Sequence, residues 1–197
     1  GASVWQNAQP TFRPTAQGSV ALGHNGNLTN THELAQLLRT RASGDPKAGK
    51  GETATSDTSI MASLLASYPD RTVEDAALEI LPQLRGAFSL VFMDESTLYG
   101  ARDPQGIRPL VLGRLERGWV IASETAALDI VGASYIREIE PGEFVAIDEN
   151  GLRSSRFAEP EPKGCIFEYV YLARPDTTIN EQRVFSVREE IGRKLAR

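Results

Sequence analysis

Apolar residues recur along the chain with two different periods, and the change comes near Gly86. Ahead of that glycine the spacing is helical. Leu34, Leu37 and Leu38 follow the pair Asn30 and Glu33, a capping-box pattern in which Asn accepts from a first-turn amide and Glu reaches back. Asp57 stands at the start of a second helix with Ile60, Leu64, Leu65 and Tyr68 on one face. Thr72 and Asp75 open a third, which carries Val73, Ala76, Ala77, Ile80 and Leu84. Pro82 is expected to kink its last turn, having no N–H to donate. Residues 41–56, rich in Gly and charge, predict a loop. After Gly86 short β-rich runs take over. Residues 87–94, 97–103, 109–116 and 118–123 predict an antiparallel meander. Residues 124–132 predict a short helix. Residues 135–151 predict a hairpin turning at Pro141-Gly142, with Asn150-Gly151 closing the next. At the start, 1–20 has no sustained period and predicts an ordered surface loop, and 19–24 predicts a short buried strand. Near the end, 165–176 predicts an extended run, and Ser186 with Glu189 caps a last helix bearing Val187, Ile191 and Leu195.

Helices grouped first and antiparallel strands after them predict an α+β fold, and two stacked sheets between helical layers fit the strand number. A Pro-rich link at 159–164 separates a main domain, 1–160, from a junction segment and helix, 161–197. Composition narrows the classes. The net charge of −5 comes without a basic stripe, which argues against nucleic acid. No apolar run approaches the roughly 20 residues that span a bilayer, and the opening residues lack a signal-peptide pattern. One cysteine, Cys165, excludes an internal disulfide framework and predicts a reducing, cytoplasmic setting.

The candidate chemistry lies in His24-Asn25-Gly26-Asn27. Acyl transfer from an amide builds negative charge on the carbonyl oxygen, and preorganised donors stabilise it. Asn25 offers a side-chain NH₂, and Gly26 offers a backbone N–H with no Cβ to obstruct approach. The competing reading is a strand-to-helix turn in which Asn and Gly tolerate left-handed angles. Asp57 has a competing reading as well, that of an ordinary helix cap. Arg102, Asp103, Arg108 and Pro109 read as a structured turn, with Asp103 bonding the turn amides. Glu124 reads as a first-turn carboxylate favoured by the helix dipole. His24 and His32 lack a second metal-ligand candidate, so they read as a strand-end imidazole and an exposed helix residue.

Six segments, "GHNGNLTN", "TSDTSI", "RDPQGIRPL", "ASETAALD", "IEPGE" and "CIFEYVYLARPDT", occur in one order. Together they resemble the glutaminase half of the amidophosphoribosyltransferase family, over nearly the whole chain. The resemblance implies an N-terminal-nucleophile hydrolase α/β/β/α sandwich, incomplete at its N-terminus. It implies release of ammonia from glutamine by an N-terminal cysteine whose own amine acts as base. That ammonia would pass to phosphoribosyl pyrophosphate and give phosphoribosylamine, the first committed step of purine synthesis. Asn25 and Gly26 match the oxyanion pair, Asp57 matches the carboxylate that binds the glutamine α-amino group, and the opening residues resemble the end of a mobile loop. In cluster-bearing members a cysteine matching Cys165 is one ligand of a [4Fe–4S] centre. The resemblance further implies magnesium with phosphoribosyl pyrophosphate on a following domain, and a homo-oligomer.

The nucleophilic cysteine is not among these residues, since Gly1 has no side chain. A fragment is therefore expected, inactive alone and poorly stable because of an unpaired sheet edge. Two alternatives stand beside it. One is a nucleophile-less glutamine-binding or regulatory relative. The other is a different class-II amidotransferase, such as a glucosamine-phosphate or asparagine-forming synthetase.

Overall fold

A computed structural model describes residues 5–42 and 56–196. The loop expected over 41–56 lies almost wholly outside the described residues, as does the very start of the opening segment.

The three helical patterns form α1 (Thr31–Ala42), α2 (Asp57–Leu65) and α3 (Val73–Ile80). Helix α3 buries Val73, Ala76, Ala77 and Ile80, the stripe that its spacing repeats. Thr72 caps it, with its hydroxyl accepting from Asp75 N at 3.1 Å. Pro82 falls in a 3-10 turn, Leu81–Gln83, that ends this helix instead of kinking it. The capping box of α1 does not form as expected. Asn30 Nδ2 donates to Gln83 O at 2.9 Å, and its Oδ1 accepts from Arg85 N at 3.1 Å. A buried amide satisfied at both ends by one loop is better placed there than at a helix cap.

The opening segment is not a loop. Thr11–Thr15 (β1) pairs antiparallel with Gly18–Leu28 (β2). Strand β2 runs on through His24–Asn27, so that tetrad is neither a strand end nor a turn. The strands β3 (Gly86–Met93) and β4 (Leu98–Arg102) follow, then β5 (Val111–Leu115), β6 (Gly118–Ala122) and β7 (Ser134–Glu138), and last β8 (Glu143–Asp148) and β9 (Gly151–Arg156). The expected meander splits after β4. A six-stranded sheet has the order β1-β2-β3-β4-β8-β9, and β6-β5-β7 form a second sheet. Pro141-Gly142 therefore links two sheets and does not turn a hairpin, whereas Asn150 does lie in the tight β8–β9 turn.

One face of the large sheet packs Val20, Leu22, Phe88, Leu90 and Phe92 with the apolar residues of α1–α3. Its other face meets the small sheet through Leu110, Leu112, Ile139, Val145 and Ile147. Helix α4 (Thr125–Val131) lays Leu128 against Val111 on the outer side of the small sheet. The layers are α/β/β/α, as expected.

Residues 165–176 are not extended. Glu168–Leu172 forms a π-helical turn. The Ile, Phe, Tyr and Val content favours strand, yet tertiary contacts decide: Glu168 is buried, with Oε1 2.7 Å from Arg108 Nη1. A two-residue ladder, β10 (Thr178–Ile179) with β11 (Gln182–Arg183), leads into α5 (Val184–Leu195). That helix starts ahead of Ser186 and has no side-chain cap. Among the described residues no helix is long and apolar enough to cross a membrane.

Candidate active site

Strand β1 covers β2 only as far as Leu22, while β3 stays paired with β2 through Leu28. Past Leu22, one edge of β2 therefore faces no strand among the described residues. Alternate residues of an antiparallel strand turn their N–H and C=O toward one neighbour or the other. His24 N donates to Gln9 Oε1 at 2.5 Å, and His24 O accepts from Gln9 Nε2 at 3.1 Å. Leu28 N donates to Asp57 Oδ2 at 3.3 Å. Residues 24, 26 and 28 thus face the open edge, and the Gly26 N–H points out between two engaged amides. The opposite strand agrees. Phe88, the register partner of Gly26, donates its N–H to Asp103 Oδ2 at 3.1 Å and accepts from Asp103 N at 2.8 Å, both away from β2.

Only glycine fits at 26. Its φ is +143°, and an added Cβ would lie 2.1 Å from Ala87 O. Gly26→Ala is expected to cost about 1–3 kcal/mol of backbone strain and displacement. That corresponds to a fall of about 2–10 °C in melting temperature, and a calorimetric scan that shows no shift would remove this account of the glycine.

Asn25 sits opposite Ser89 on the face toward the small sheet, half-buried, and its side chain has no hydrogen-bond partner among the described residues. Asp57 is brought to the same end of β2, but not as a cap. Ser56 takes that role, with its side chain accepting from Ser59 N at 3.2 Å. The Asp57 carboxylate instead accepts from Thr58 N at 2.9 Å and Leu28 N at 3.3 Å, and lies 3.5 Å from His24 Nδ1. The His24 imidazole is the main reason that its pKa is held at about 2, with the two amides helping and burial opposing.

Two functional neighbours escaped the sequence reading. The His24 side chain is 1% exposed and lies against Asp57, while its Nε2 is buried without a hydrogen-bond partner among the described residues, so it is not the satisfied strand-end imidazole expected. Gln9 carries no motif at all. The one available signal was the even spacing of 24, 26 and 28 along a strand. His32 is an exposed helix residue that touches Gln36, as expected.

The turn 103–108 behaves as read. Asp103 is fully buried and accepts from Gln105 N at 2.9 Å and from Ile107 N at 3.3 Å, and its pKa is raised by burial against the pull of these amides. Glu124 stands at the N-cap of α4 without a side-chain cap bond. Its Oε2 accepts from Thr177 Oγ1 at 2.6 Å and Arg174 N at 3.0 Å, which ties the C-terminal segment down. Cys165 is half-buried just before the π-helical turn. A [4Fe–4S] centre needs four thiolates, and the sequence holds one cysteine, so these residues cannot hold a cluster by themselves. Among the described residues no group of three or more His, Cys, Asp or Glu is placed to bind a metal.

An α/β/β/α sandwich with an outward-turned N–H on a strand edge beside an ionised carboxylate has the layout of a class-II glutamine amidotransferase domain. The chain belongs to the glutamine amidotransferase domain family, whose model matches residues 3–130. Over its full length it is 62% identical to the amidophosphoribosyltransferase of Mycobacterium leprae (strain TN) and 39% identical to that of Bacillus subtilis (strain 168). It spans 35% and 40% of the lengths of those two relatives. The solved structure of the glutamine phosphoribosylpyrophosphate amidotransferase from B. subtilis, complexed with ADP and GMP, superposes with a TM-score of 0.89 at 38% identity. That match covers 99% of this chain and 42% of the other.

Proposed function

We propose that the chain is the glutaminase part of an amidophosphoribosyltransferase. In the whole protein, ammonia freed from glutamine passes to phosphoribosyl pyrophosphate and gives phosphoribosylamine. The observation that carries this reading is the Gly26 N–H, turned out between amides engaged by Gln9 and Asp57, with the Asn25 amide one residue away. As a nucleophile adds to the carboxamide of glutamine, the carbonyl oxygen gains charge, and the Gly26 N–H and Asn25 Nδ2 receive it. Asp57 is ionised at neutral pH and attracts the α-ammonium group of glutamine. The attacking thiol and its basic amine belong to an N-terminal cysteine outside these residues.

Phosphoribosyl pyrophosphate and magnesium bind in the remainder of the protein, which works in the cytoplasm as a homo-oligomer. A [4Fe–4S] centre there would take Cys165 together with three thiolates from outside this chain. The test is to incubate the full-length protein with glutamine and phosphoribosyl pyrophosphate, and to assay glutamate and phosphoribosylamine. Both are expected, and the 197-residue chain alone should release no glutamate. A full-length protein that leaves glutamine intact would overturn the reading.

A further inference from the structure

Behind Asn25 a row of side chains crosses the large sheet, because Asn25, Ser89 and Arg102 are register neighbours on β2, β3 and β4. Ser89 Oγ and Arg102 Nε both donate to one carbonyl, Arg108 O, at 3.0 and 2.9 Å. Arg102 also reaches Gly106 O at 3.0 Å, Ile139 O at 2.9 Å and Glu138 Oε2 at 3.0 Å. A buried guanidinium with four directed bonds fixes the loop 103–108 against the sheet. Asp103 fixes Phe88 in the same way. From the far side, then, the loop sets the two β3 residues that face Asn25 and Gly26.

The C-terminal segment in turn holds the loop at several points. Glu161 N and Lys163 N donate to Pro104 O and Gln105 O at 2.7 and 2.8 Å. Glu138, the partner of Arg102, accepts from Asn180 N at 2.6 Å. The side-chain tie is Arg108–Glu168, in which the Glu168 side chain is 5% exposed and projects from the π-helical turn. Turns of that kind are rare and concentrate at functional positions. A pair with one buried carboxylate, whose Oε1 makes no hydrogen bond among the described residues, and a half-buried guanidinium is also a poor stabiliser compared with apolar side chains of the same volume. Stability alone does not account for it.

We infer that Arg108 and Glu168 are positioning residues for the oxyanion donors, joining the docking of the turn Glu168–Leu172 to the alignment of Asn25 and Gly26. This rests on the glutaminase reading above. The C-terminal segment thereby becomes a support of the glutamine site, although no residue of it need touch glutamine.

The test uses the full-length protein with Glu168→Gln, Arg108→Gln and the double substitution. Glutamine hydrolysis is measured for kcat and KM, alongside phosphoribosylamine formation from free ammonia and a thermal melt. Each single variant is expected to lose about tenfold in glutaminase kcat, a fraction of what one donor is worth, with KM for glutamine within about twofold. The double variant should lose no more than the worse single, because the two residues act as one unit. Unchanged kcat with a lowered melting temperature would reduce the pair to scaffolding and overturn the proposal, and so would losses that multiply in the double variant. If the single variants do not fold, Arg108→Met with Glu168→Leu removes both charges. A tenfold lower kcat there supports the proposal, and wild-type kcat overturns it. Parent protein that fails to hydrolyse glutamine removes the functional reading itself, and is thereby told apart from a failure of the positioning role.

Discussion

Asn25→Ala in the full-length protein is expected to lower kcat for glutamine hydrolysis by about 10²–10³-fold, the worth of one preorganised oxyanion donor. The Asn25 amide has no hydrogen-bond partner among the described residues, so truncating it breaks no internal bond there. The loss should therefore appear in turnover and not in the melting temperature. KM for glutamine should move little, because the donor acts on charge that exists mainly in the transition state. Phosphoribosylamine formation from free ammonia bypasses the site and serves as the control. If hydrolysis falls less than about threefold, Asn25 is not a donor and the catalytic assignment passes to Gly26 alone.

Asp57→Asn is expected to act on the other kinetic constant, raising KM for glutamine by about 10–100-fold, since a hydrogen bond to a charged group contributes about 1.5–3 kcal/mol. An ionised carboxylate has about four acceptor positions. Thr58 N, Leu28 N and His24 face three of them, and the side chain remains 20% exposed, which leaves room for one ammonium group. The same carboxylate links stability to acid. Its pKa falls from 3.8 to about 2 on folding, so its contribution is complete above about pH 4 and is lost as pH falls toward 2. The discounted worth is about 1–2 kcal/mol. Acid unfolding followed by circular dichroism should show the wild type losing stability over that interval and Asp57→Asn losing less. Parallel curves for the two proteins would mean that Asp57 is not the titrating group.

Much of this was legible where the information is local. The stripe of α3 and its Thr72 cap depend only on residues within one helix, and they form as the spacing predicts. The competing turn reading of 24–27 fails because the tetrad lies inside a strand, where Gly26 adopts φ +143° and passes close to Ala87 O. The competing cap reading of Asp57 fails because Ser56, one residue earlier, takes the amide. Side-chain shape over 165–176 predicts an extended run, whereas the chain turns π-helically at 168–172, with Glu168 set against Arg108, 60 residues away in sequence. What Gln9 does cannot be read from its neighbours at all, since both of its bonds go to the backbone of residue 24.

Gln9 also has a bearing on how the chain behaves among other proteins. Open strand edges invite a second strand to add, and through it aggregation. With its carboxamide giving and taking one bond at His24, Gln9 imitates a single residue of a neighbouring strand and then goes no further. Asp57 closes the next outward amide but one, at Leu28. A peptide strand seeking successive partners along this edge finds the first and third occupied. A lone acceptor oxygen would need only the second, at Gly26.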